Sequence, residues 1–209
     1  MLYAFFVFVC TVATVYSVVA LYLVTRSSRR RLFSGKEVLP VTVLKPLCGA
    51  DDELESNLET FFHQDYPDYE LLFGVEGNSD PAIGVVRLLK QRYPNVRCSL
   101  VIHDGRCGLN PKISNLRSMI ATRTHDVVVI SDSNIAVAPE YLSEMVGQLQ
   151  DKNVGLVTNL FCGVGERTLG ATLENLHLNG PVAGSIAGSQ LNGHTVAVGK
   201  SMMFRRSVL

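Results

Sequence analysis

Residues 2–24 form an unbroken run without charge, and beyond Arg26 the pattern changes to short apolar stretches alternating with longer mixed ones. Val38–Leu44 reads as a buried strand stopped by Lys45-Pro46. Asp51–Phe62 reads as a helix with acids in its first turn and Leu54, Leu58, Phe61 and Phe62 on one face. Tyr69–Val75 predicts a second strand. Asp80-Pro81 predicts a helix start, with Asp80 as N-cap, Pro81 at the first helical position, and Ile83, Val86 and Leu89 as the apolar stripe. Arg97–His103 is a third strand, followed by the turn Asp104-Gly105-Arg106-Cys107-Gly108. Pro111 opens a helix with Ile113, Leu116 and Ile120 facing inward. Asp126–Ser131 is the clearest buried strand, Pro139–Leu149 a helix and Val154–Thr158 a further strand. Strands alternating with helices imply right-handed crossovers and a mostly parallel sheet covered on both faces. From Phe161 the texture changes: eight glycines fall between Gly163 and Gly199, with Val196–Val198 and Met202–Phe204 as short strands after or within that region's end.

The uncharged run decides where the chain resides. At roughly 1.5 Å per residue a helix over it reaches about 35 Å, against a bilayer core of about 30 Å. A cleaved signal peptide wants a basic start, a shorter apolar core and a small-residue cleavage site. Here nothing basic precedes the run, whereas Arg26, Arg29, Arg30, Arg31 and Lys36 follow it. The expectation is a retained single-span anchor over residues 1–25, a basic juxtamembrane linker over 26–37, and a domain over 38–209 on the cytoplasmic face. The 209 residues balance 19 Lys and Arg against 19 Asp and Glu, which argues against a basic nucleic-acid binder. Setting aside the five basic residues of the collar leaves a net of −5, so the collar suits anionic headgroups while the domain is mildly acidic. Five scattered cysteines without a Cys-x-x-Cys pair argue for reduced thiols rather than a disulfide framework or zinc module.

Ligands of such sheets sit outside the carboxyl ends of the strands. Lys45, Asp80, Lys112, Asn115 and Asp132 all fall after strands or at helix starts, so the topology would gather them on one edge. Asp132, after Val-Val-Val-Ile-Ser, is placed to hold Mg²⁺ or Mn²⁺ against a diphosphate, or else closes the strand as an Asx turn. Asp80 either only caps its helix or also accepts a bond from a nucleobase or ribose. Lys112 sits in a helix first turn, where a bound phosphate would offset the unfavourable dipole, and Asn115 lies one turn on. Lys45 carries the weakest signal, since lysines at strand ends are usually solvated. His63, His103, His125, His177 and His194 show no metal-ligand spacing and read as surface or loop residues. Dinucleotide-binding, P-loop and hydrolase-elbow glycine motifs are absent.

Val43-Leu44-Lys45-Pro46-Leu47-Cys48-Gly49, Asn57–Phe62, Asp65–Glu70, Asp80-Pro81-Ala82, Asn110–Leu116 and Ser131–Asn134 closely resemble the ceramide glucosyltransferase family and its bacterial relatives, including hopanoid-modifying glycosyltransferases. The resemblance runs from about Val41 to Leu209. It implies an α/β GT-A fold (Rossmann-like) and inverting transfer of a hexose, glucose first, from a UDP-sugar to a membrane lipid hydroxyl. It implies donor binding by Lys45, Asp80, Lys112, Asn115 and Asp132, with Asp132 and Asn134 at the metal. Two departures stand out. Asn134 replaces the second acid of the Asp-x-Asp common in GT-A enzymes. The family's general-base Asp, its Gln/Arg-x-x-Arg-Trp signature and its C-terminal membrane segments are expected beyond Leu209, and the 209 residues contain no Trp. The alternative expectation is therefore a membrane-anchored nucleotide-sugar-binding module without activity. A polysaccharide synthase of the same fold fits the Lys-Pro-Leu and Asn-Pro-Lys motifs less well.

Overall fold

Segments rich in β-branched and aliphatic residues pair into one sheet with the order β3-β2-β1-β4-β6-β5. The computed structural model describes residues 1–28, 37–51, 53–105, 109–191, 193–194 and 196–208. Arg29, Arg30, Arg31 and Lys36 of the basic collar lie outside the described residues, as do Asp52 and the turn residues Arg106, Cys107 and Gly108. The strands are β1 (Val41–Pro46), β2 (Tyr69–Glu76), β3 (Cys98–His103), β4 (Val127–Ser131), β5 (Leu156–Thr158) and β6 (Ser201–Arg205). The helices are α1 (Leu2–Ser28), α2 (Leu54–Glu59), α3 (Ala82–Arg92), α4 (Pro111–Thr122), α5 (Tyr141–Leu149), α6 (Leu169–His177) and α7 (Ala183–Leu191).

The described residues fall into two compact units. The first contains the sheet. Its β1 pairs in parallel with β2 and with β4, and β2 pairs in parallel with β3. Both faces are covered. Val41, Val43, Leu71, Phe73, Val129 and Met203 point into a core closed by α2, α3 and α5, with Leu58, Phe61, Leu89 and Leu142 fully buried there. Leu44, Leu72, Val128, Ile130 and Phe204 point the other way, onto Leu116 and Met119 of α4. Alternate residues of one strand thus serve opposite cores, which is why the strands read as continuous apolar runs.

The sheet is mostly parallel, as expected, with β6 running antiparallel to both β4 and β5. Several finer expectations need correction. The first strand begins at Val41, because Pro40 interrupts the run and the Leu39 backbone is taken by the Tyr66 hydroxyl, which donates to its carbonyl at 2.7 Å and accepts from its N–H at 3.0 Å. It extends through Pro46 rather than stopping before Lys45. Helix α2 starts at Leu54 and passes into a tighter turn, Thr60–His63, that still buries Phe61 and Phe62. Val196–Val198 is not a strand; Thr158 Oγ1 holds the Val198 backbone through its N–H (3.0 Å) and carbonyl (3.3 Å). Ile113 is exposed, and the buried positions of α4 are Ser114, Asn115, Leu116 and Met119.

The second unit joins α1 to the stretch Asn159–Ala197. Over Leu2–Arg26, α1 is long and apolar enough to cross a membrane by length and composition. Much of the glycine-rich region is helical: α6, a wider π turn over Leu178–Val182 containing Pro181, and α7 follow one another directly.

At the amino ends of the strands a polar clamp replaces apolar contact. The Thr42 hydroxyl donates to Glu70 Oε1 at 2.5 Å and accepts from the His125 N–H at 3.2 Å. Thr124 gives Glu70 both its N–H (2.7 Å) and its hydroxyl (2.9 Å). Burial alone would raise the Glu70 pKa, but these donors together outweigh it and hold the carboxyl below its ordinary value. A carboxyl lowered by folding stabilises the protein above its ordinary titration range, and that stabilisation is lost as pH falls through the lowered value. Glu70→Gln should therefore cost about 1 kcal/mol at neutral pH and shrink the loss of stability on acidification. Chemical denaturation of both proteins across the acid range checks this; parallel pH profiles would refute it.

Candidate functional site

The carboxyl ends of β1, β2, β3 and β4 lie side by side, and the polar residues singled out from the sequence sit there in two linked groups. In the first, Lys45 reaches from β1 to the exit of β4. It has no exposed surface (0%). Its Nζ donates to the Asp132 carbonyl at 2.6 Å, to Ser131 Oγ at 3.3 Å and to the Ile135 carbonyl at 3.5 Å. It lies 3.8 Å from the centroid of the Phe61 ring. Burial drives its pKa well below the ordinary lysine value, opposed by the Asp132 carboxylate. The solvated lysine suggested for this position is thus replaced by an internal strut. Beneath it, Phe61 packs edge-on against Tyr141, whose hydroxyl pairs with Ser201 Oγ at 2.8 Å.

Asp132 follows directly on β4. Its N–H donates to the Lys200 carbonyl and its carbonyl accepts from Ile135 N–H, so residues 132–135 form a tight turn that leaves Asn134 exposed. The Asp132 side chain is ion-paired with Lys112, whose ammonium also approaches the Gly199 carbonyl at 3.4 Å. Lys112 stands in the first turn of α4, where Asn110 caps the helix by accepting the Lys112 N–H at 3.0 Å and Pro111 occupies the first helical position. The carboxylate of Asp132 now compensates the cation that the helix dipole disfavours.

In the second group, Asp80 closes the β1 loop. Its carboxylate accepts from Gly49 N–H at 3.0 and 3.2 Å and from Ala82 N–H at 2.8 Å. Helix α3 begins at Ala82 with Pro81 in the cap position, one residue later than expected, yet Asp80 still takes the first helical N–H; the same group also fixes the turn at Gly49, whose φ of 74° suits glycine. Asn115 is buried. Its Nδ2 donates to the Gly74 carbonyl at 2.7 Å and the Leu47 carbonyl at 3.3 Å, tying β1 and β2 to α4. Its Oδ1 is buried without a hydrogen-bond partner. Gly74 must be glycine here, since a Cβ would overlap the Asn115 amide and the Met119 thioether. Asn115 explains the turn of α4: a polar side chain fills the sheet-facing position, and Ile113 is rotated out.

Sequence reasoning missed His103. It ends β3 on this same edge, beside Gly77, whose N–H donates to its carbonyl at 2.9 Å. Both its ring nitrogens are buried and unpaired, so it is not the surface residue expected. Only its place at a strand end signalled this. Among the described residues no three His, Cys, Asp or Glu side chains cluster as a metal site. One carboxylate and an exposed amide remain, a donor set that suits a hard divalent cation taking its other oxygens from a phosphate and water.

Lys45 separates global stability from the order of the turn it holds. Replacing it by Met removes the cost of burying an amine but leaves the Asp132 carbonyl without its strut. Lys45→Met should change stability by no more than about 1 kcal/mol, while speeding amide exchange in the 132–135 turn roughly tenfold through the lost hydrogen bonds. Thermal unfolding and hydrogen exchange, run together, decide; unchanged exchange in the turn would make Lys45 a core residue only.

Comparisons with known proteins bear on the family and the fold. A family model described as Glycosyl transferase family 21 matches residues 5–209. The chain is similar to ceramide glucosyltransferase of Komagataella phaffii, 37% identical over 127 residues, covering 59% of this chain and 25% of that protein. It is similar to ceramide glucosyltransferase 1 of Caenorhabditis elegans, 37% identical over 105 residues, covering 50% of this chain and 22% of that protein. The matched stretch thus spans about a quarter of the length of these relatives. Among solved structures, the chain resembles the mannosyltransferase PcManGT from Pyrobaculum calidifontis in complex with GDP-Man and Mn²⁺, with a TM-score of 0.60, 21% identity, and coverage of 95% of this chain and 55% of that one. It also resembles glucosyl-3-phosphoglycerate synthase from Mycobacterium tuberculosis in complex with Mn²⁺, UDP-glucose and phosphoglyceric acid, with a TM-score of 0.54, 19% identity, and coverage of 84% and 60%. These two share the fold, a mixed α/β GT-A sheet flanked by helices.

Proposed function

The chain belongs to glycosyl transferase family 21, and from that membership we propose that it carries the donor-binding part of a membrane enzyme that transfers a hexose, glucose first, from a UDP-sugar to a lipid hydroxyl such as that of ceramide or a hopanoid. The observation that carries this reading is the pairing of Asp132 with Lys112 beside a buried Lys45 at the carboxyl edge of the sheet. An edge with one carboxylate and a cation at a helix N-terminus suits a diphosphate and its metal. Names of the relatives supply the sugar and the lipid: ceramide glucosyltransferases are similar over half the chain.

In this reading Asp80 accepts from the uracil or ribose, held ready by the Gly49 and Ala82 N–H groups. Asn115 supports the pocket from below by fixing the Leu47 and Gly74 carbonyls. Asp132, with Asn134 at the rim, holds Mg²⁺ or Mn²⁺; the two neighbours with nucleotide ligands also contain Mn²⁺. When bound, the cation supplies positive charge to the leaving diphosphate. Lys112 then exchanges the Asp132 carboxylate for phosphate oxygens, and its ammonium takes up charge as the anomeric C–O bond breaks. The lipid oxygen forms the new bond from the opposite face with inversion, and its proton passes to a base. Asp80 and Asp132 are both engaged with the donor, so neither is assigned that role.

The organisation proposed with it is a spanning segment over residues 1–25, a linker over 26–37 and a catalytic domain over 38–209 on the cytoplasmic face. Supporting it are the length and composition of α1 and the basic residues that follow it.

Membranes carrying the natural protein, given labelled UDP-sugars and metal, should yield a labelled glycolipid. Asp132→Ala should lower this transfer about a hundredfold or more; near-normal turnover would remove its role at the metal. Lys112→Ala should raise the donor KM or lower kcat roughly tenfold, and unchanged kinetics would return Lys112 to a surface ion pair.

A further inference from the structure

A concavity of about 360 Å³ opens at the amino end of β4, on the side of the sheet away from Lys45 and Asp132. It lies wholly within the unit that contains the sheet. Its polar lining comes from Arg117 of α4, Arg123 just past that helix, His125 and Asp126 leading into β4, and Arg206 after β6. The antiparallel pairing of Val127 with Arg205 brings Arg206 to the start of β4, where its N–H donates to the Asp126 carbonyl at 2.8 Å. The five residues of β4 separate this end from Asp132, a span of about 17 Å.

The charges gathered here are not used by the fold. Three guanidinium groups against the single carboxylate of Asp126 leave a formal charge of +2 around one hollow. Among the described residues, neither Arg117 nor Arg206 is engaged in an ion pair, and both are exposed. Arg123 donates from Nη1 to the Ile120 carbonyl, which caps the end of α4. A helix C-terminus accounts for that one cation, since the dipole favours positive charge in the last turn. It does not account for Arg117, which stands before the last turn, or for Arg206, which comes from another element. Converging like charges repel, so the arrangement has a cost that an anion in the hollow would relieve.

His125 supplies the second, independent sign of a ligand. Its backbone N–H is spent on Thr42 Oγ1 at 3.2 Å, but its ring Nε2 is buried without a hydrogen-bond partner. A buried ring nitrogen left single costs free energy that a bound oxygen would recover. Glu70, the acid of the neighbouring clamp, is held by Thr42 and Thr124 and does not line the hollow. A guanidinium is a planar fork of N–H donors that matches two phosphate oxygens at once. The net charge matches a dianion, and the volume falls in the range of about 300–1,000 Å³ usual for small ligands. We propose that this hollow is a second anion site, which takes a phosphate group carried by a small molecule or a lipid headgroup. It stands apart from the donor edge and does not rest on the glycosyl-transfer reading.

Arginine modification tests the site residue by residue. The natural protein in phosphatidylcholine nanodiscs is treated with phenylglyoxal, and adducts are mapped by mass spectrometry. Inorganic phosphate in one arm, or phosphatidic acid built into the nanodisc in another, should slow modification of Arg117 and Arg206 about tenfold. Arg87, an exposed arginine of α3, should react at an unchanged rate. Protection by phosphate alone assigns a soluble phosphate compound, protection by phosphatidic acid alone assigns a headgroup, and protection by both assigns the phosphate group itself. Arg206→Gln, which keeps the backbone bond to Asp126, should raise the phosphate concentration that half-protects Arg117 about tenfold. No protection in either arm, equal protection of Arg87, or an unchanged half-protecting concentration in Arg206→Gln would overturn the site. Lys45, Asp80, Lys112, Asn115 and Asp132 include no arginine, so phosphate bound at the donor edge leaves these rates untouched.

Discussion

A lysine with no exposed surface holds this edge together. Lys45 sits near the end of β1, and its amino group gathers the carbonyls of Asp132 and Ile135. Placing an amine there costs several kcal/mol unless its donors are met. Three oxygens and the Phe61 ring meet them. The consequence is geometric: the turn that carries Asp132 is tied to the central strand, so its carboxylate is presented at a fixed height above the sheet. An apolar side chain would fill the space but would leave the Asp132 carbonyl with the Ile135 N–H alone and the turn no longer tied to β1.

The same logic runs along the edge. Each polar side chain that points at the prospective ligand is held from behind by one that does not. Asp80 is fixed by backbone N–H groups of Gly49 and Ala82. The loop containing Leu47 is fixed by Asn115, which needs the missing Cβ of Gly74 to come close enough. Lys112 is fixed by the capped start of α4. Precision of this kind is what a charged, flexible donor requires, because its own torsional freedom must be quenched on binding.

Much of this was legible in the sequence, and the failures have physical causes. Apolar runs placed the parallel strands because their residues serve two cores at once, and β4 was the plainest for that reason. The set Lys45, Lys112 and Asp132 was found from its position after strands, and the three are in direct contact. Side-chain direction was not legible. Periodicity treated Ile113 as inward and left the direction of Asn115 open, whereas the Asn115 hydrogen bonds to Leu47 and Gly74 outweigh the burial of one isoleucine. Composition offered no helix in the glycine-rich region, because glycine is a poor helix former in water. Against another apolar helix the same glycines permit contact, so a helical reading needed the partner α1. The antiparallel return of β6 was hidden because nothing local in Ser201–Arg205 specifies the direction in which a strand pairs.

The ion pair between Lys112 and Asp132 gives the edge two states from one set of charges. With each other as partners, both groups are partly exposed and the pair adds little to stability, within about 1 kcal/mol. Because little is lost on breaking it, the pair can part when a ligand brings a stronger partner for each: a cation for the carboxylate, phosphate oxygens for the ammonium. Neither side chain could be left single without cost, since a lone cation in the first turn of α4 opposes the helix dipole and a lone carboxylate beside it would attract stray cations. In the function proposed above, pairing them keeps the edge near neutral until donor and metal arrive together. The weakness of the contact is therefore what suits it to its place. A buried bidentate pair would hold the loop more firmly and release it less readily, whereas this one sits on a turn already anchored by Lys45, so rigidity and exchange are assigned to different residues.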